Sequence, residues 1–147
     1  MSLAMTREER ERFLADLHVG IISIAEDGRG PLTVPIWYDF DPGVGVWVLT
    51  GRESRKGRLL AQTGRFSLCA QTETAPYQYV SVEGSIVETR PADVEKDARP
   101  MARRYLGREM GDAYVGDGSG EGDSLVFVMR PERWLTVDYN RLRPDAG

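Results

Sequence analysis

Apolar positions change their spacing several times along the chain, and each change marks an element. Phe13, Leu14 and Leu17 recur at helical spacing behind Thr6-Arg7-Glu8-Glu9, where a hydroxyl precedes a glutamate by three residues as in a capping box. That pattern predicts an amphipathic helix over residues 7–18. β-Branched residues dominate residues 19–25 up to Asp27-Gly28, a tight-hairpin signal, and a second strand over residues 32–40 stops at Asp41-Pro42-Gly43. Residues 46–50 make a third strand, and residues 53–62 return to helical spacing with Leu59 and Leu60. Residues 65–72 alternate Phe66, Leu68 and Ala70 against Ser67, Cys69 and Gln71, the pattern of a half-buried strand. Residues 77–88 form a longer strand with Val80, Val82 and Ile86 on one side, and Gly84 within it marks a bend or bulge. Residues 92–106 are helical, with Pro100 either kinking the helix or starting a second one. The glycine-rich stretch 107–123 reads as a mobile loop, a surface excursion or a flap over a site. Residues 125–129 and 134–139 form the last strand, broken at Arg130-Pro131.

About six mostly antiparallel strands with peripheral helices and no alternating strand–helix–strand units predict a mainly β (α+β) fold, a small closed or partly closed barrel. At 147 residues the chain is expected to be one domain, 1–147. Hydrophobic residues at 41% and charged residues at 29% fit a water-soluble protein, and no apolar run approaches the length of a membrane span. Without an apolar signal segment near its start, the chain is expected to be cytoplasmic. A net charge of −4 argues against nucleic acid as a partner. One cysteine, Cys69, has no disulfide partner in the chain, and with one histidine, His18, a zinc site is not expected.

Catalytic constellations of familiar kinds are missing. No nucleophile elbow or paired cysteines occur, and the glycine-rich stretch lacks the lysine and hydroxyl of a phosphate-binding P-loop. Any enzyme chemistry then falls to a bound cofactor. One segment has the groups for holding one. Residues 49–57 run from strand into helix and bring hydroxyls on Thr50 and Ser54, Gly51, cations on Arg55 and Lys56, and free amides at a helix start. These are phosphate-binding groups. The same arginines and lysine also describe the wet face of a short helix.

Three stretches carry a resemblance: Thr33-Val34-Pro35-Ile36-Trp37-Tyr38, Leu49-Thr50-Gly51 through Ser54-Arg55-Lys56, and the run from Tyr77 through Tyr79 to Gly84. In that order and spacing the chain resembles the split β-barrel flavin-binding family that includes pyridoxamine 5′-phosphate oxidase. Its short branch using the deazaflavin coenzyme F420 is the most similar part. The resemblance spans about residues 10–140.

It implies a six-stranded antiparallel Greek-key split β-barrel that forms a homodimer with cofactor sites at the subunit interface. It also implies hydride transfer from reduced F420 to an electron-poor, conjugated small-molecule acceptor. The alternatives are an FMN-dependent oxidase or reductase and a non-catalytic flavin- or F420-binding protein. Backbone from Thr33, Val34, Pro35, Ile36 and Trp37 would line the ring, and Thr50, Gly51, Ser54, Arg55 and Lys56 would hold the phosphate. Tyr79 would stand against the cofactor, and Trp134 would cover it from the partner subunit. Tyr38, Tyr77 and Arg141 are the candidates for substrate contact, and no acid or base is assigned. The chain departs from the oxidases at Asn140-Arg141-Leu142-Arg143, where their substrate-contacting Arg-x-His pattern has no histidine, which argues against vitamin B6 oxidation.

Overall fold

The computed structural model describes residues 2–142, apart from the side chain of Glu121; Arg143 lies outside the described residues. Helix α1 (Arg7–Ala15) starts at the expected capping box, with Thr6 Oγ1 accepting from Glu9 N–H and the Glu9 carboxylate accepting from Thr6 N–H. It ends three residues earlier than its sequence period suggested. The strands are β1 (Gly20–Ile24), β2 (Leu32–Ile36), β3 (Tyr38–Asp41), β4 (Gly45–Gly51), β5 (Arg65–Gln71), β6 (Gln78–Pro91) and β7 (Ser124–Asp138). Helix α2 (Arg55–Thr63) links β4 to β5, and α3 (Arg99–Leu106) and α4 (Arg108–Val115) lie between β6 and β7.

All seven strands belong to one antiparallel sheet in the order β2-β1-β5-β6-β7-β4-β3. Seven strands replace the expected six because the predicted strand 32–40 is interrupted at Trp37. Its two halves, β2 and β3, form the two opposite edges of the sheet, so one residue joins edge to edge. The sheet must therefore curl round on itself, leaving a split at Trp37 rather than a closed barrel. Pro35, which has no N–H for a ladder, sits on edge strand β2.

The split leaves the backbone of Tyr38 without a strand partner on one side, and α3 supplies one. Tyr38 N–H donates to the Tyr105 hydroxyl (3.1 Å), and Tyr38 C=O accepts from Tyr105 Oη (2.9 Å) and Arg104 Nε (3.2 Å). Arg104 also donates to Ala15 C=O and Asp16 C=O, closing the end of α1.

Gly84 marks the bulge that its position suggested. Glu83 pairs with Arg133 and Gly84 with Pro131, so Glu132 is the extra residue, and a Cβ at Gly84 would meet Arg130 O at 1.8 Å. Strand β7 runs on through Arg130-Pro131 rather than breaking there.

One large core fills the curl of the sheet, with Leu14, Ile22, Leu68, Val82 and Phe127 fully or almost fully buried. A second apolar layer lies on the outer face of β4 and β7. Val126 and Val128 alternate with the core residues Leu125, Phe127 and Met129, yet are buried too. Ala98, Met101, Ala102 and Val115, buried on the helices that follow β6, supply the covering layer. Trp47, on the same outer side of β4, is half-buried and does not belong to the main core.

The helical region settles one alternative and corrects one expectation. Val94–Ala98 is a single π-helical turn, after which Pro100 lies in the first turn of α3, so the proline starts a helix rather than kinking one. Residues 107–123 are not one loop, since Arg108–Val115 is helical and a short 3₁₀ turn follows at Ser119–Glu121.

Candidate functional site

At the split of the sheet a cleft of about 400 Å³ opens between the end of β2, the end of β4 and the helices α3 and α4. Six of the residues named from sequence line it: Pro35, Ile36, Trp37, Thr50, Gly51 and Lys56. Val19, Leu49, Ala98, Met101, Ala102, Tyr114 and Ser124 complete the wall. Lys56 is therefore its one formal charge, and no carboxylate lines it. Apolar walls around a single cation suit a ligand with an anionic group and a flat or apolar body.

The polar end is built by the turn from β4 into α2. Ser54 is the N-cap of α2; its hydroxyl accepts from Gly57 N–H (3.0 Å) and donates to Gly51 C=O (2.7 Å). Because that donation uses its only hydrogen, the 3.0 Å contact between Thr50 Oγ1 and Ser54 Oγ has Thr50 as donor. Thr50 thus faces the cleft as a lone-pair acceptor, not as a donor to an anion. What remains for an anion is the Lys56 ammonium and the N–H groups of Arg55 and Lys56, which have no acceptor among the described residues.

Arg55 leaves the expected clamp. Its guanidinium pairs with the Glu26 carboxylate, which that contact holds below the usual glutamate range, and it does not line the cleft. Arg52 is likewise taken, by Asp123 at 3.1 Å.

The remaining candidates lie elsewhere in the chain. Thr33 is exposed, donating to Pro31 C=O, and Val34 packs against the main core. Tyr38 is 0% exposed, and its hydroxyl donates to Leu14 C=O at 2.7 Å. Burial raises the pKa of that phenol well above its ordinary value, so Tyr38 is a core strut and not a substrate contact. Tyr77 is exposed just before β6, and Tyr79 stands on the outer sheet face opposite Val137. Trp134 points inward, edge-on to Phe40 at 6.1 Å and capped by the Arg10 guanidinium at 4.4 Å, so its own ring is not free to cover another subunit's cofactor. Arg141 is engaged by Glu9, remote from the cleft lining.

Sequence reasoning missed the helical wall. Ala98, Met101 and Ala102 were legible as an apolar helical face, but nothing local says which cleft they meet. Tyr114 was hidden in what read as a loop. Its signal was the spacing Met110–Tyr114 and Gly111–Val115, one helical turn each.

An antiparallel sheet curled into a split barrel, with a cleft at the split and a strand-to-helix turn beside it, is the architecture of the flavin-binding split-barrel class. The model of the pyridoxamine 5′-phosphate oxidase family matches residues 6–138, and the chain belongs to that family. Among solved structures, an F420 reductase is similar with a TM-score of 0.72 at 18% identity, over 85% of this chain and 94% of the other. A conserved hypothetical protein from Mycobacterium tuberculosis gives a TM-score of 0.76 at 18% identity, over 99% and 92%. An FAD-binding protein from Mesorhizobium loti gives 0.63 at 16% identity, over 90% and 94%. At these identities the likeness is one of fold. No curated protein matches the sequence. Among the described residues no helix is long and apolar enough to cross a membrane, and no group of histidine, cysteine, aspartate or glutamate side chains is placed to hold a metal ion.

Proposed function

We propose that this chain is an F420-dependent oxidoreductase that reduces an electron-poor, conjugated small molecule. The observation that carries the reading is Lys56, a cation without a salt-bridge partner among the described residues, set at the start of α2 beside two backbone N–H groups that have no acceptor among those residues, in a cleft with no other charged side chain. That donor set fits the phosphate of a flavin or deazaflavin nucleotide. When bound, reduced F420 supplies a hydride equivalent. The protein neutralises the phosphate through Lys56, offers Trp37 as a flat wall, and excludes water with Leu49, Met101 and Ala102. Arg58, exposed on α2, is available to the carboxylates of the F420 tail, since Arg52 is already paired. FMN presents a phosphate and a related tricyclic ring, and an FMN-dependent activity is the second reading.

A homodimer belongs to this proposal. On the outer sheet face, Pro35, Ile21, Cys69, Ser81 and Leu135 form one cross-strand row, and Leu135 is 63% exposed. A second copy seated there would reach the cleft through Pro35, which belongs to both the row and the cleft lining.

The test is an equilibrium titration of the purified protein with F420 and with FMN, read by cofactor fluorescence. Preferential F420 binding, followed by oxidation of reduced F420 with nitroaromatic or quinone acceptors, supports the proposal. Preference for FMN moves the assignment to the second reading, F420 binding without turnover on any acceptor leaves a binding protein, and binding of neither overturns both readings.

A further inference from the structure

We propose that Tyr114 determines which planar acceptor the cleft takes, acting as a movable jaw against the fixed jaw Trp37. This deepens the oxidoreductase reading and rests on it for the kind of ligand, an electron-poor planar ring.

The two rings are held in contrasting ways. Trp37 lies parallel to Tyr105, with centroids 5.0 Å apart and 4° between the planes. Tyr105 is itself locked, because its hydroxyl contacts His18 C=O at 2.6 Å and Tyr38 C=O at 2.9 Å while accepting from Tyr38 N–H. Moving Trp37 therefore means breaking the stack or the bonds that close the split of the sheet.

Tyr114 is 65% exposed, makes no hydrogen bond among the described residues, and has Trp37 as its one ring partner, at 5.5 Å and 52°. Its backbone is nevertheless fixed. Gly111 brings α4 so close to α3 that a Cβ there would meet Arg103 N at 2.7 Å. Asp112 pairs with Arg99 (3.2 Å) and Arg103 (2.7 Å), and Arg99 donates to Gly116 C=O at 2.9 Å.

A rigid helix therefore carries a ring free to turn at the mouth of the cleft. Swinging the Tyr114 ring outward and parallel to Trp37, from the present 5.5 Å between centroids to the ~7 Å that two stacking contacts need, makes a slot for one flat ring between two electron-rich faces, with the acceptor's reducible group projecting beyond it towards the cofactor. The size of that slot is set by the Tyr114 ring, since Trp37 cannot yield.

The test uses two nitro-substituted planar probes, 4-nitrobenzoate and 6-nitro-2-naphthoate, titrated by calorimetry into the wild type and the Tyr114→Ala and Tyr114→Phe variants. Each protein is titrated with and without bound F420. Tyr114→Ala should weaken the one-ring probe about fivefold and shift the preference towards the two-ring probe, while Tyr114→Phe keeps the wild-type preference. An unchanged ratio in Tyr114→Ala, or binding of neither probe by the wild type, overturns the assignment. If neither F420 nor FMN binds, the oxidoreductase reading fails. A Tyr114-dependent probe ratio on the same cofactor-free protein then still supports the jaw.

Discussion

Replacing Gly57 by alanine sets helix propensity against packing, and the structure says which wins. In an exposed helix interior the change would stabilise by about 0.8–1 kcal/mol. Gly57, however, is buried where α2 abuts the end of β4. A Cβ there would lie 2.1 Å from Gly51 O and 3.0 Å from Arg52 O, both backbone atoms that no rotamer change can move. Ordinary contact requires the helix start to retreat by about 1 Å. Overpacking of this kind costs about 1–3 kcal/mol, and with backbone on both sides the upper end applies. The net expectation is a loss of about 2 kcal/mol, or roughly 5 °C in Tm for a domain of this size. The retreat also breaks the Gly57 N–H to Ser54 bond and displaces the two free amides beside Lys56. Affinity for a phosphate-bearing cofactor should therefore fall by about tenfold or more, the worth of one charge-assisted hydrogen bond. Thermal melting and the F420 and FMN titrations read both effects on one preparation. A Gly57→Ala protein as stable as the wild type, or more so, would refute the close approach of α2 to β4 on which the proposed anion site depends.

Three further outcomes follow from the same geometry. Lys56→Ala should weaken cofactor binding by about tenfold to a hundredfold while Arg55→Ala changes it little, because Arg55 is held by Glu26; equal effects in the titration would return Arg55 to the clamp. Asp97 is 3% exposed and accepts both terminal nitrogens of Arg90 (2.7 and 2.8 Å), contacts that hold its carboxyl below the usual aspartate range. Its stabilisation is therefore complete above the unfolded value near pH 4 and lost as pH falls through the lower folded value; urea melts should show Asp97→Asn destabilised by about 1–2 kcal/mol at pH 7, a gap that narrows in acid. Arg104→Lys should cost about 1.5–3 kcal/mol in the same melts despite keeping the charge, because one ammonium cannot span the carbonyls of Ala15, Asp16 and Tyr38; wild-type stability in the lysine variant would refute the strut.

What could be read from the sequence was what alternation and turn chemistry encode locally. The β1–β2 hairpin, the half-buried β5 and the bulge at Gly84 all rest on patterns within a few residues. The interruption at Trp37 does not, because what ends the pairing there is the side chains of Arg104 and Tyr105, more than sixty residues away. Trp134 illustrates a second limit. Counting by twos from Leu125, Phe127 and Met129 places position 134 on the outside, but the extra residue Glu132 inverts the phase, and Trp134 and Thr136 turn inward instead. The third is α4, whose flanking and internal glycines disguise a helix that needs Gly111 for its contact with α3. Of the segment 49–57, the strand-to-helix turn and its residue types were legible, and Thr50, Gly51 and Lys56 do line the cleft. The withdrawal of Arg55 was not legible, since its partner Glu26 lies in the β1–β2 turn, 29 residues earlier.

The cleft occupies the seam between two apolar layers, and that position explains its tolerance and its sensitivity. The main core contains no side chain of α3 or α4, while Val126, Val128, Met101, Ala102 and Val115 are buried in a smaller layer outside it. Substitutions in the outer layer can then reshape the helical wall without dismantling the sheet that carries Thr50 and Gly51 or the helix that carries Lys56. The Tyr38 backbone, through Arg104 and Tyr105, is where the two layers are bonded together, and Trp37, its neighbour, is where the cleft opens. The groups proposed to bind an anion thus sit beside the main core, and the rings proposed to select the ligand sit where the smaller layer meets it. On the proposed function, an architecture divided in this way changes the acceptor it admits through α3 and α4 while keeping the same phosphate grip.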